Sequence, residues 1–192
     1  DKNSYYVYYR YSKQNHRKQI EVASNRAREF FKPYSEREPF EFVEKLSDLV
    51  KTYEQLHYTY GEPIEILTPD GRIDLWTQVL SELERVMRSI SLEVDFGSRK
   101  STKYKAVKGF ALSEALKTKV SVVLPSPYQT VPGTDLPIEY MFIEGQGDFR
   151  ISTTMVDERG ISEAYVAMIQ SPRPNQVVKS HINLKKFKES PN

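Results

Sequence analysis

The chain contains no cysteine among its 192 residues. This absence excludes disulfide bonds, cysteine-ligated zinc sites, iron–sulfur clusters and thiol nucleophiles. Because a chain without cysteine is compatible with reducing and with oxidising compartments, the absence does not restrict where the protein works.

Long hydrophobic runs and an excess of one charge are also lacking. No apolar run approaches the ~18 residues of a transmembrane helix. The chain has 28 basic and 26 acidic side chains. Both signs are mixed along the whole chain, so no part of it predicts binding to a nucleic-acid backbone. We interpret the local basic stretch RKSTKYKAVK as a solvated loop or strand edge rather than a nucleic-acid or lipid patch; its basic residues are Arg99, Lys100, Lys103, Lys105 and Lys108.

The chain opens at Asp1 without an initiating Met, which favours a fragment or a mature form. The stretch SYYVYYRY (4–11) has the composition of a strand. Aromatic residues fall on both of its faces, which predicts packing beneath the following helices or contact with another molecule. Its tyrosines, our candidates for partner contact, are Tyr5, Tyr6, Tyr8, Tyr9 and Tyr11.

Two helices are predicted next. Ser12 can cap a helix whose apolar positions have helical spacing, namely Ile20, Ala23, Ala27 and Phe30 or Phe31. The prolines of KPYSEREP are expected to interrupt it. A second helix is expected from near Pro39, with an apolar stripe formed by Phe42 or Val43, Leu46, Leu49 or Val50, Tyr53 and Leu56. The two helices predict an antiparallel hairpin.

A small strand–helix–strand unit is predicted over 62–97. PIEILTPDGRIDL indicates a short strand and a turn, and Asp74 can cap a helix with Trp76 on its apolar stripe. In ISLEVDF the alternation places Ile90, Leu92, Val94 and Phe96 on one face. Residues 97–104 form a polar link.

From about residue 105 the sequence is typical of short strands separated by turns, which predicts an antiparallel sandwich. We expect Gly145 and Gly147 to take positive φ in one turn, and DERG (157–160) to form a type I turn that Asp157 stabilises through backbone N–H groups, with Gly160 last. The fold class is therefore α+β: an α/β domain over 1–104, a sandwich over 105–187 and a tail over 188–192.

The order LPIEYMF … GQGDF … TTMVDERGISEAYV … VVKSHINL resembles a bacterial immunoglobulin-like domain of the invasin and intimin type. Pro137, Gly145, Gly147, Asp157 and Gly160 fall where that pattern has them, whereas Val156 and Ser162 depart from it. The resemblance covers about 70 residues. It implies a β-sandwich that acts as a spacer or an adhesive module, and it brings no catalytic residues.

A second resemblance is carried by YYVYYRYSKQNHRKQ, an aromatic strand with Arg10 that continues into a charged helix. It is similar to the closing strand of a bacterial envelope lipoprotein family found in outer-membrane and flagellum-associated proteins. The likeness implies an envelope location, with a lipid anchor outside the present sequence.

Catalytic chemistry has little support. His16, His57 and His181 fall in different predicted elements, so no triad is indicated. The carboxylate pairs Asp157–Glu158 and Glu82–Glu84 are interpreted as turn and solvated-face residues, with a Ca²⁺ site at Asp157 a lesser alternative. GQG (145–147) lacks the following helix that a phosphate loop needs.

We therefore expect a non-enzymatic structural or protein-interaction component of the bacterial cell envelope, in the periplasm, outer membrane or cell surface. It needs no cofactor or metal, and its partner is an envelope protein or a second copy. The alternative is a carbohydrate- or peptidoglycan-binding module, which requires exposure of the N-terminal tyrosines and Trp76. A hydrolase ranks third, and a turnover abolished by His57→Ala or His181→Ala would support it.

Overall fold

A computed structural model describes residues 12–68, 71–94, 106–124, 129–173 and 175–189. In chain order its elements are α1 (Lys13–Glu36), α2 (Phe42–His57), β1 (Glu65–Thr68), β2 (Gly71–Asp74), α3 (Leu75–Arg88), β3 (Ile90–Val94), β4 (Leu116–Val123), β5 (Thr130–Pro132), β6 (Pro137–Glu144), β7 (Gly147–Phe149), β8 (Thr153–Met155), β9 (Ile161–Ala164), β10 (Val166–Ile169), β11 (Val177–Ile182) and α4 (Lys186–Glu189). The α+β class predicted from the sequence is confirmed. The predicted strand at 4–11 lies outside the described residues.

The predicted helical hairpin is confirmed. Leu46, Leu49 and Leu56 of α2 are fully buried, as their spacing along one helix face requires. The helices run antiparallel, because the His16 ring near the start of α1 lies 4.8 Å from the Tyr60 ring just beyond the end of α2.

The first helix is longer than predicted. It continues through Pro33 to Glu36, and Pro39 lies in the turn before α2, which begins at Phe42. A proline inside a helix costs about 3 kcal/mol. The residue after it, Tyr34, is buried and bonds to Glu82 of α3, so packing beyond the proline offsets this cost.

The unit after the hairpin has one more strand than predicted. β1 and β2 form an antiparallel hairpin with Glu65 opposite Asp74. Asp74 caps α3 as expected, because its carboxylate accepts a hydrogen bond from the Thr77 N–H at 3.2 Å. Val79 of α3 is fully buried, whereas its neighbour Leu80 is exposed.

Strands from both sides of the domain boundary predicted at residue 104 belong to one sheet. β3, from the N-terminal side of it, pairs antiparallel with β4, and β5 and β9 pair with β4 in the same sheet. At the other end of the chain, α4 packs against α2 and buries Phe187. The first two residues of the predicted tail, 188–189, are therefore helical, and Phe187 just before the tail joins the same core as the helices.

The remaining strands form two further antiparallel groups, a sheet in the order β11-β6-β8 and a ribbon of β7 with β10. Val120 and Val122 of β4 and Ile138 and Tyr140 of β6 are buried. The Tyr140 hydroxyl donates to the Ser162 carbonyl of β9 at 2.9 Å, which links the β6 sheet to the β4 sheet.

Candidate interaction surface

The strand β3 leaves apolar side chains uncovered at one side of its sheet. Leu92 lies opposite Val120, and Val94 lies opposite Thr118. Both partners on β4 are fully buried, yet Leu92 is 37% and Val94 51% exposed. Paired residues lie on the same face of a sheet, so the apolar inner face continues onto β3 without full cover from the described residues.

The backbone of β3 also faces outward on one side. The Val123 N–H donates to the Ser89 carbonyl at 2.9 Å, and Ile90 lies opposite Val122. In an antiparallel ladder this arrangement directs the N–H and C=O groups of Ile90, Leu92 and Val94 away from β4. Among the described strands β3 pairs only with β4, so this edge offers both hydrogen-bonding groups and apolar area.

A second exposed apolar face lies on β6 and β8. Met141, Ile143 and Met155 are all more than two-fifths exposed. The ion pair of His181 with Glu139, at 3.5 Å, lies on the same face. β6 is paired on both sides, with β11 and with β8, whereas β8 pairs only with β6 among the described strands, so this face also adjoins an edge.

The predicted partner contacts Tyr5, Tyr6, Tyr8, Tyr9 and Tyr11 lie outside the described residues. Two further exposed tyrosines, Tyr58 and Tyr60, follow α2. Tyr60 has a φ of 55°, uncommon for a residue other than glycine. The sequence analysis missed this pair, although HYTYG (57–61) is the second tyrosine-rich stretch of the chain.

Trp76 does not form an exposed platform. Its ring lies 5.8 Å from that of Tyr53 and 5.5 Å from that of His57, and it packs against the hydrophobic core as predicted. A sugar-binding aromatic needs an open ring face. Trp76 therefore gives no support to the carbohydrate-binding alternative.

The three histidines lie in separate places. His16 stacks near Tyr60, His57 lies beside Tyr53, and His181 pairs with Glu139. Across the ranges that the structure describes, no group of three histidine or acidic side chains could hold a metal ion. The predicted arrangement of the histidines in different elements is confirmed.

The predicted turn glycines have two different physical roles. Gly145 and Gly160 have φ of 88° and 79°, values that favour glycine. Gly147 differs from the prediction, because it lies in β7 and is not among the described positive-φ glycines. A Cβ there would lie 2.7 Å from the Met168 carbonyl oxygen and from the Phe142 ring, so close packing accounts for this glycine.

Asp157 stabilises its own turn. Its Oδ1 accepts hydrogen bonds from the Ile161 N–H at 2.8 Å and the Arg159 N–H at 3.0 Å. Its Oδ2 pairs with the Arg159 guanidinium at 2.8 Å. The Ile161 N–H, followed by Arg159, lowers the pKa of Asp157 below its ordinary value. Both carboxylate oxygens are thus engaged in shaping the backbone.

The Glu82–Glu84 pair differs from the expected solvated face. Glu82 is largely buried and accepts hydrogen bonds from Tyr34 and from the Arg85 Nε, the latter at 2.9 Å. Burial and the bond to Glu82 raise the pKa of Tyr34 to about 12. Glu84 is exposed and pairs with Arg88. Glu82 therefore joins α3 to α1, and Glu84 lies in solvent.

Most of the basic stretch Arg99, Lys100, Lys103 and Lys105 lies outside the described residues, and Lys108 is exposed. No helix in the described part of the chain is both long and apolar enough to span a membrane.

No family model, no curated protein and no solved structure matches this chain. The two resemblances noted in the sequence therefore remain predictions.

Proposed function

We propose that the chain is a non-enzymatic structural or protein-interaction component of the bacterial cell envelope, and that β3 supplies a contact. The observation that carries this proposal is the β3 edge, where Leu92 and Val94 extend a buried apolar face into solvent. A partner strand added to this edge would form main-chain hydrogen bonds and cover both side chains.

The size of the edge sets the expected affinity. β3 has five residues, and stable interfaces bury about 1,200–2,000 Å² in total. A single strand of this length covers less than that, so the partner must also contact neighbouring surface or bind transiently. The N-terminal tyrosines are the candidates for that additional contact.

The envelope location and the immunoglobulin-like character of the β part rest on the resemblances. The antiparallel strands and the backbone turns at Gly145, Asp157 and Gly160 support the immunoglobulin-like character. In this proposal the β part acts as a spacer that holds neighbouring components at a fixed distance, and the β3 edge supplies the contact. Fractionation of cells that produce the natural full-length protein tests the location, and recovery in the cytosol alone would contradict it.

A charge-insertion variant tests the contact at β3. Lysine on an edge strand opposes strand addition, so Leu92→Lys should abolish crosslinking to proteins from an envelope extract of a bacterium that encodes the chain. Leu80→Lys is the matched control, because Leu80 is also exposed but lies on α3. The same crosslinked proteins at equal yield with both variants would contradict a contact at β3.

A peptidoglycan-binding module is the second candidate, because Tyr58 and Tyr60, two residues apart in the chain, are both exposed. Tyrosine rings suit the faces of sugars. Co-sedimentation with purified peptidoglycan that is lost in the double variant Tyr58→Ala and Tyr60→Ala, but kept in Leu92→Lys, would favour this candidate over the protein contact.

A further inference from the structure

The strand β3 has the same alternating pattern when it is read from either end. Its residues are apolar at Ile90, Leu92 and Val94 and polar at Ser91 and Glu93. In the pairing with β4, the backbone N–H and C=O groups of the three apolar residues point away from β4. The apolar side chains and the outward-facing backbone groups therefore belong to the same residues, with Leu92 in the middle.

A strand with this pattern is complementary to a second copy of itself. In an antiparallel pair centred on Leu92, this residue lies opposite Leu92 of the second copy, and Ile90 lies opposite Val94 of that copy. Every outward-facing residue then meets another one, and because each such pair exchanges two bonds, the register supplies about six main-chain hydrogen bonds. A shift by one residue would oppose outward-facing to inward-facing groups, and a shift by two would lose one pair. The backbone thus selects a single best register.

The side chains fit the same register on both faces of the sheet. On the apolar face, the exposed Leu92 and Val94 would lie beside the same apolar row of the second copy. On the polar face, Glu93 would lie opposite Ser91 of the second copy, so no two carboxylates face each other directly. On its other side Glu93 lies opposite Lys119 of β4, which is a complementary charge. A second copy therefore covers apolar area without opposing like charges.

Other edges of the described sheets are less suited to pairing with a second copy. The edge strand β8 has only three residues. The edge strand β11 has six, and because the Asn183 N–H donates to the Pro137 carbonyl, Ser180 is the middle one of its outward-facing residues. Self-pairing about Ser180 would set the cationic Lys179 opposite His181 of the second copy. Strand β3 combines length, apolar area and compatible charges.

We propose that two copies of this chain pair through β3, antiparallel and centred on Leu92, so that their two β3–β4 sheets become one continuous sheet. This pairing rests on the proposed function, since it requires the contact at β3, and it identifies the partner there as a second copy. One strand on each side covers less than the roughly 1,200–2,000 Å² of a stable interface. The dimer is therefore expected to be reversible and to depend on protein concentration.

Disulfide trapping tests the register, and it is clean because the chain has no cysteine. Leu92→Cys should form a disulfide-linked dimer in a thiol redox buffer, because opposed residues of this kind have Cα atoms about 5.5 Å apart, within disulfide reach. Val94→Cys is the matched control, since the two Val94 positions lie more than about 13 Å apart in this register. Val94→Cys should link only when it is mixed with Ile90→Cys. Equal dimer yields for Leu92→Cys and Val94→Cys alone would overturn the proposal.

Sedimentation equilibrium of the purified chain separates this proposal from the proposed function. With rising concentration, the mass of the parent chain and of Leu80→Lys should increase from 22.4 kDa toward about twice that value, whereas Leu92→Lys should stay a monomer. A parent chain that stays a monomer, or a dimer that Leu92→Lys leaves intact, would overturn the self-pairing. If Leu92→Lys nevertheless abolishes crosslinking in the envelope extract, the contact at β3 stands with a different protein as its partner. Crosslinking that Leu92→Lys does not change would contradict the contact itself.

Discussion

The Tyr34 hydroxyl of α1 donates a hydrogen bond to the Glu82 carboxylate of α3, which lies 48 residues further along the chain. Arg85 binds both groups, with its guanidinium 3.3 Å from the Tyr34 oxygen and 2.7 Å from Glu82. The three side chains join the last turns of α1 directly to α3. This contact explains why the helix is stable beyond Pro33.

Tyr34→Phe should lower the free energy of unfolding by about 1–2 kcal/mol. The ring remains buried, but Glu82 loses a hydrogen-bond donor in a partly buried place. Denaturant unfolding followed by Trp76 fluorescence measures the change. Tyr58→Phe is the control, because Tyr58 is exposed. Equal stability of the two variants would show that the bond to Glu82 contributes nothing.

The same pair predicts a stability change at high pH. The pKa of Tyr34 is about 12 in the folded chain, and that of an unfolded tyrosine is about 10. A raised pKa stabilises the fold fully below the unfolded value, and this contribution is lost as the pH rises toward the folded value. The stability difference between the parent chain and Tyr34→Phe should therefore shrink from about pH 9 to pH 12. A constant difference would contradict the raised pKa.

The helices were predictable because their evidence is local. Leu46, Leu49 and Leu56 follow the helical period, and Asp74 stands where a cap is needed. The partner of Tyr34 was not predictable, because a polar side chain that bonds across 48 residues leaves no periodic pattern. Glu82 was therefore mistaken for a residue of the solvated face.

The pairing of the strands was likewise not predictable from local sequence patterns. The alternation of Leu92 and Val94 predicted a strand and its apolar face, but neither its partner β4 nor the incomplete cover of that face. Pairing between distant strands and the extent of the opposing layer are decided by the whole chain. The candidate edge could thus be identified from the sequence only as a strand.

Gly109 and Gly160 both have positive φ. Comparing them separates the cost of backbone strain from the cost of a steric collision of the added Cβ. Gly109 has a φ of +84° and nothing within 4 Å of an added Cβ, whereas at Gly160, φ +79°, the Cβ would lie 2.7 Å from the Val120 carbonyl oxygen. Gly109→Ala should cost about 1–2 kcal/mol, and Gly160→Ala about 1–3 kcal/mol more. Thermal unfolding measures both. Equal costs for the two variants would show that a Cβ at residue 160 does not collide with the Val120 carbonyl oxygen of β4.

The packing of α4 on α2 predicts that helices and sheets unfold together. Phe187 is buried in the shared core, so Phe187→Ala should cost about 3–5 kcal/mol. The loss should lower the unfolding midpoint equally for Trp76 fluorescence, which reports on the helices, and for denaturant-dependent hydrogen exchange at Val120 and Val122 of β4, which reports on the sheet. Phe110→Ala, at an exposed position, is the control. Two separate transitions in the parent chain would instead support the predicted domain boundary near residue 104.

The Asp157 turn predicts a loss of stability in acid. Its pKa is lowered by the Ile161 N–H and by Arg159, so its contribution is complete above the ordinary value of about 3.9 and is lost as the pH falls through the lower folded value. The difference in thermal midpoint between the parent chain and Asp157→Ala should therefore be larger at about pH 6 than at about pH 2. Glu158→Ala, a neighbouring exposed carboxylate, controls for general acid effects. The contrary result is a midpoint difference from the parent chain that shrinks between about pH 6 and about pH 2 by the same amount for Glu158→Ala as for Asp157→Ala. That result would attribute the acid sensitivity to the overall charge of the protein and not to the ionised form of Asp157.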